Sequence, residues 1–170
     1  MQISLILGLS ADGCLSLNQR DDLSWLSKQD KANFKKITIK SGAVLMGKNT
    51  YLSLVNFGVF PLPGRLNFVL THQQIDDRGG IFLAGKPKEV IKQISDSGVT
   101  SLSLIGGRSV YQDFLDSNLV DEILLTQSSK ILNGEIKFGI APHLKNFKLI
   151  SEEALNNDEI LKHFTKVSSN

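Results

Sequence analysis

Short apolar runs alternate with amphipathic stretches along the chain, which is the pattern of an α/β sheet covered on both faces. Strands are expected over 3–9, 43–46, 66–71, 81–84, 101–105 and 122–126, and helices over 28–38, 49–54, 87–97 and 109–116. In the tail, two extended segments at 147–152 and 160–167 flank the turn-rich Asn156-Asn157-Asp158 and read as a closing antiparallel hairpin. The expected fold is a single-domain three-layer α/β/α architecture over 1–170, with a mostly parallel central sheet and a C-terminal antiparallel hairpin. Residues 13–22 and 55–63 are the longest stretches without periodicity, which marks both as candidate functional loops.

Composition narrows the picture. A length of 170 residues fits one domain, and 41% hydrophobic with 21% charged residues is far from the signature of disorder. The net charge of +2 is scattered, whereas a nucleic-acid footprint clusters its basic residues, so no nucleic-acid partner is expected. Cys14 is the sole cysteine, and His72, His143 and His163 show no metal spacing, so neither a disulfide nor a metal is expected. The N-terminal apolar run from Ile3 to Leu9 is too short for a membrane span and lacks the basic flank of a signal peptide. The expectation is a cytoplasmic protein without a membrane partner.

Two junctions share one design of buried strand, glycine and helix start. One is Ala43-Val44-Leu45-Met46 followed by Gly47-Lys48-Asn49-Thr50, and the other is Leu102-Ser103-Leu104-Ile105 followed by Gly106-Gly107-Arg108-Ser109. The free N–H groups and dipole of a helix start attract phosphate, and glycine lets a ligand approach. Lys48, Arg108, Thr50 and Ser109 add charge and hydroxyls for a multiply phosphorylated ligand. Strand-to-helix turns also use Gly, Ser and Thr for backbone reasons alone, so both readings stand at this point. The run Gly42 to Asn49 nearly matches the nucleotide-binding pattern G-x-x-x-x-G-K-[ST], but Asn49 lacks the magnesium-binding hydroxyl, and Ala-Val-Leu-Met between the glycines belongs in a strand.

On a helical projection Asp30 shares the arc of Leu26, Phe34 and Ile37, while Lys28, Lys31 and Lys35 form a solvated basic face. Ser27 at the N-cap with Asp30 three residues on is also a capping arrangement. Capping does not explain the apolar surroundings of Trp25, Leu26 and Phe34, where desolvation favours the neutral carboxyl and each unit of pKa shift is about 1.4 kcal/mol. Such a carboxyl reads ligands or handles protons. The stiff turn Pro61-Leu62-Pro63-Gly64 ends in Arg65, a guanidinium suited to gripping a carboxylate, or facing water if the turn is only structural.

In order along the chain, Leu23-Ser24-Trp25-Leu26-Ser27-Lys28-Gln29-Asp30 with Phe34, Lys35 and Thr38, then Val44 to Tyr51, Pro61 to Asn67, Val69-Leu70-Thr71, Ile105 to Tyr111, Phe114-Leu115 and Leu125-Thr126 resemble the motifs of dihydrofolate reductase. The resemblance implies hydride transfer from NADPH to the pterin ring of 7,8-dihydrofolate. Asp30 would be the pterin-binding acid, steadied by Thr126, with Trp25 helping through ordered water. The carbonyls of Ile6 and Ile105 would complete the pterin site, Phe34 and Leu62 would pack on the substrate, and Arg65 would hold the glutamate α-carboxylate. For the cofactor, Lys48, Asn49 and Thr50 would bind phosphates, and Thr71 and His72 would lie near the adenosine. Gly106, Gly107, Arg108, Ser109 and Val110 would run along the pyrophosphate, with a cis peptide between the two glycines. Gly134 to Phe138 resembles a family loop that touches the mobile loop.

Departures point elsewhere in the superfamily. Ser24 replaces a usual proline, Lys31 stands where an apolar contact is common, and the segment between Tyr51 and Pro61 is longer. The loop Ala11-Asp12-Gly13-Cys14-Leu15-Ser16 is more similar to the reductase domain of riboflavin biosynthesis, which acts on a ribosylaminopyrimidine phosphate and lacks the acid. The expected partner is thus a small molecule, dihydrofolate or a related pterin or pyrimidine, bound by a monomer or homodimer. A binding protein without turnover is the third possibility.

Overall fold

The computed structural model describes residues 1–73 and 78–167, so the last three residues of the expected 1–170 domain lie outside the described chain. Ten strands and five helices appear among them: β1 (Gln2–Leu9), β2 (Cys14–Ser16), α1 (Lys28–Ser41), β3 (Ala43–Gly47), α2 (Lys48–Asn56), β4 (Leu66–Leu70), β5 (Ile81–Leu83), α3 (Pro87–Asp96), β6 (Ser101–Leu104), α4 (Arg108–Asp116), β7 (Glu122–Ser128), β8 (Ile136–Lys137), α5 (Ala141–Leu144), β9 (Phe147–Ala154) and β10 (Glu159–Lys166). Eight strands form one sheet in the order β5-β4-β3-β6-β1-β7-β10-β9. The six from β5 to β7 run parallel, and β10 and β9 close the sheet antiparallel. The expected α/β class, mostly parallel sheet and closing hairpin are all present.

Alternation along each strand divides the core. Ile3, Leu5, Leu7, Leu9, Leu45, Phe68, Leu102, Leu104, Ile123 and Leu125 face Val90 and Ile94 of α3 and Val110, Tyr111, Phe114 and Leu115 of α4. The opposite positions Val44, Met46 and Val69 meet Tyr51, Leu52 and Val55 of α2. Beside them Ser103 of β6 donates to the Ser41 hydroxyl of α1 at 2.8 Å. The sheet therefore lies between an α1/α2 layer and an α3/α4 layer.

Several boundaries differ from the sequence expectation. Helix α1 runs beyond residue 38 to Ser41, where Gly42 closes it in the left-handed conformation; within it the Thr38 hydroxyl donates to the Phe34 carbonyl at 2.7 Å. Helix α2 reaches Asn56, shortening the expected 55–63 loop. Within the 13–22 loop, β2 pairs with β8, a two-stranded sheet too short to leave a periodic signal. The single turn α5 was likewise not anticipated.

Candidate active site

A cleft of about 1230 Å³ opens at the carboxyl ends of the parallel strands, where open α/β sheets bind ligands. Its wall includes Ile6 to Gly8 of β1, Gly47 at the end of β3, Thr71 after β4, Ile105 to Val110 after β6, and Thr126 of β7. Residues of the 16–23 segment, among them Asp21 and Asp22, line it from the side of the chain entering α1.

Asp30 stands at the acid end. Its amide donates to the Ser27 hydroxyl at 3.0 Å, completing the N-cap, and its Oδ1 accepts from the Thr126 hydroxyl at 2.6 Å. Burial pushes the Asp30 carboxyl above the usual carboxylate range. The Thr126 bond and Lys31 pull it down, whereas the negative charge of Glu159 adds to the rise. The result is a half-buried acid held at a cleft wall beside Phe34, Ile37 and Ile105.

The opposite end is built from the two glycine turns. Gly47 and Gly107 are the N-caps of α2 and α4, and neither offers a side chain to the free N–H groups of the first turn. The turns are laced together by the Gly47 amide donating to the Gly106 carbonyl at 2.8 Å. The Gly106-Gly107 peptide is cis, as the resemblance implies. A Cβ on Gly106 would stand 2.9 Å from the Thr50 hydroxyl oxygen, so the glycine keeps this end of the cleft open. Two uncapped helix starts beside Lys48, Thr50, Arg108 and Ser109 suit the phosphates of a dinucleotide. Lys48 itself donates to the Gln73 amide oxygen.

The cleft gathers Asp30, Thr126, Ile6, Phe34, Leu62, Ile105, Lys48, Asn49, Thr50, Thr71, His72, Gly106, Gly107, Arg108, Ser109 and Val110. Trp25 and Arg65 are not in its lining. Trp25 is buried and donates from Nε1 to Asp21 at 3.2 Å, which ties the segment before α1 together. The Arg65 guanidinium donates to the Thr38 hydroxyl on α1 and, through Nε, to the Pro63 carbonyl at 3.1 Å. The Ile6 carbonyl accepts from the Tyr111 hydroxyl at 2.6 Å, a contact not foreseen; burial raises the Tyr111 phenol well above its usual range. Glu159 was also missed. It comes 132 positions after Ser27, its partner, in a stretch whose composition reads only as a turn.

The fold and cleft together are those of a dihydrofolate reductase-like α/β protein. The family model for dihydrofolate reductase matches residues 2–168, and the chain belongs to that family. Dihydrofolate reductase of Bacillus subtilis (strain 168) is 29% identical over 157 residues, 92% of this chain and 86% of the relative. That of Candida albicans is 28% identical over 123 residues, 66% of this chain and 62% of the relative. Among solved structures, a Shewanella sp. PV-4 protein ascribed to riboflavin biosynthesis superposes with a TM-score of 0.78 at 19% identity, covering 99% of this chain and all of that one; this shows the fold. The superfamily is a group of oxidoreductases that use NADPH or a related nucleotide. No helix among the described residues is long and apolar enough to cross a membrane, and none of their acidic, cysteine and histidine side chains cluster as a metal site.

Proposed function

We infer that the protein reduces 7,8-dihydrofolate to tetrahydrofolate, with NADPH supplying the hydride when bound and water supplying the proton. The observation that carries this reading is the Asp30–Thr126 pair, an acid at one end of a cleft whose other end suits phosphates. Asp30 binds the 2-amino group and adjacent ring nitrogen of the pterin, orients the ring and favours protonation at the reacting imine. Thr126 holds Oδ1, leaving the rest of the carboxyl for substrate. The Ile6 and Ile105 carbonyls complete the ring site, and Phe34 and Leu62 pack on the substrate. Arg65 takes the glutamate α-carboxylate, exchanging its Thr38 contact for a charged one. Trp25 acts through Asp21 and ordered water. Lys48, Asn49, Thr50, Arg108 and Ser109 hold phosphates at the two helix starts, Gly106, Gly107 and Val110 line the pyrophosphate, and Thr71 and His72 border the adenosine. The chain acts as a single cytoplasmic domain.

The test is NADPH oxidation by the purified protein, followed at the nicotinamide absorbance with dihydrofolate present and Asp30→Asn alongside. Turnover that vanishes in the variant supports the reading. NADPH binding without consumption of dihydrofolate moves the substrate to a ribosylaminopyrimidine phosphate. The 11–16 loop and the role ascribed to the Shewanella protein favour that alternative; Asp30 favours the pterin.

A further inference from the structure

Glu159 is 1% exposed, and no cation among the described residues forms an ion pair with it. Its carboxylate accepts from the Ser27 amide at 2.8 Å, from the Ser27 hydroxyl, and from the Asn156 side-chain amide at 3.0 Å. The Ser27 hydroxyl, its proton committed to Glu159, offers a lone pair to the Asp30 amide at 3.0 Å. A hydrogen-bonded line thus runs from the start of β10 through the N-cap of α1 to the residue that carries the acid.

Sheet register explains the arrangement. In the β7/β10 ladder Thr126 pairs with Leu161, and Ser128 pairs with Glu159. These rungs are two residues apart, so they share a face and stand roughly 7 Å apart along the strands. The first turn of α1 lies across that face, with Asp30 on Thr126 and Ser27 on Glu159. The two carboxyls are therefore neighbours on one surface. A neutral side chain could cap Ser27, and burying a carboxylate without a cation is costly. The charge is explained by what it does to its neighbour.

We propose that Glu159 is a positioning residue for the Asp30 acid, fixing the first turn of α1 through Ser27 and setting a second carboxylate beside it. The role in turnover rests on the proposed dihydrofolate chemistry; the coupling itself does not. Of the charged groups packed around the pair, Lys31 on α1 opposes this effect. Lys130, after β7, spends its ammonium on the Trp25 carbonyl at 2.6 Å, and Asp21 accepts from the Trp25 indole. On the two rungs that face the pair, β7 and β10 bring Thr126, Ser128 and Leu161 as neutral groups and Glu159 as the charge, while Glu122 and His163 farther along the same face pair with each other at 2.7 Å.

The test follows the side-chain carboxyl carbon of Asp30 by NMR across pH in the full chain, the resonance being assigned by its loss in Asp30→Asn. In Glu159→Gln the Asp30 midpoint falls, and the pH profile of dihydrofolate turnover moves with it. A midpoint unchanged in a folded Glu159→Gln variant overturns the proposal, even if thermal stability drops, because a purely structural side chain would not move it. If Glu159→Gln does not fold, Glu159→Asp decides, because the shorter side chain draws the charge back from the Asp30 carboxyl. An unmoved Asp30 midpoint in the folded Glu159→Asp variant overturns the proposal. The two readings fail separately. A shifted midpoint with no consumption of dihydrofolate removes the substrate and leaves the coupling, whereas turnover with an unmoved midpoint does the reverse.

Discussion

Replacing Gly134 by alanine tests how the segment over the cleft is held. A Cβ at this position would stand 2.6 Å from the Ser16 carbonyl oxygen and 2.8 Å from the Leu17 Cα, both backbone atoms. Ordinary contact begins near 3.4 Å, so one side must retreat by about 0.8 Å. The 130–138 loop is pinned at both ends: Asp12 accepts from the Leu132 and Asn133 amides at 3.0 Å each, and the buried Phe138 donates its amide to the Gly13 carbonyl at 3.0 Å. The strain therefore falls on Ser16 and Leu17, which lead into the cleft-lining 18–23 segment. Overpacking of this kind costs about 1–3 kcal/mol, which for a chain of this size lowers Tm by roughly 2–12 °C. A displacement near 1 Å beside a reacting centre lowers turnover by up to about 10²-fold. Differential scanning fluorimetry and NADPH oxidation would measure both. Gly139→Ala is the control, since its Cβ meets nothing within 4 Å and it should be neutral or gain about 0.4–1 kcal/mol. Unchanged Tm and kcat/KM in Gly134→Ala, or an equal loss in Gly139→Ala, would refute the steric argument.

Asp30→Asn should reduce turnover by roughly 10²–10⁴-fold while becoming more stable relative to wild type as pH rises. The folded state keeps the Asp30 proton to higher pH than the unfolded chain, so the favourable contribution is present below the ordinary carboxylate range and is lost as pH climbs through the raised value. Tm measured at pH 4 and pH 8 checks the sign, and an Asp30→Asn variant that loses ground to wild type between pH 4 and pH 8 counts against the burial argument. Arg65→Leu should raise KM for dihydrofolate about 10- to 100-fold with a smaller change in kcat, the scale of a lost charged hydrogen bond; equal changes in both would contradict a ground-state role. Phe114→Ala, at a fully buried site between α4 and the sheet, should cost about 3–5 kcal/mol in chemical denaturation without altering cofactor affinity in the folded protein.

The parts of the fold with strong period were legible in the chain. The strand positions Leu5, Leu45 and Leu104 and the helical face of Val110, Phe114 and Leu115 announce themselves by alternation and by helical spacing, and they are where the core lies. The two glycine turns and Asp30 were legible because each breaks a local rule, glycine at a helix start or a carboxyl on an apolar arc. What stayed hidden is non-local or very short. The β2/β8 pair holds too few residues for a period, and Glu159 gains its meaning only when the hairpin folds back onto the N-cap of α1. Arg65 illustrates the converse: its turn was readable, but its placement on Thr38, outside the cleft lining, depends on how α1 packs over β3 and β6.

The strand order carries a consequence for how the protein is made. β1 sits between β6 and β7, so during synthesis it waits about a hundred residues for either neighbour. β10, the last strand, supplies Leu161 to the cleft and Glu159 to the cap beneath the acid. A chain that has formed β1 to β7 without β10 can assemble the glycine turns but cannot finish the acid end. Loss of β10 to proteolysis would therefore remove part of the site along with the antiparallel side of the sheet.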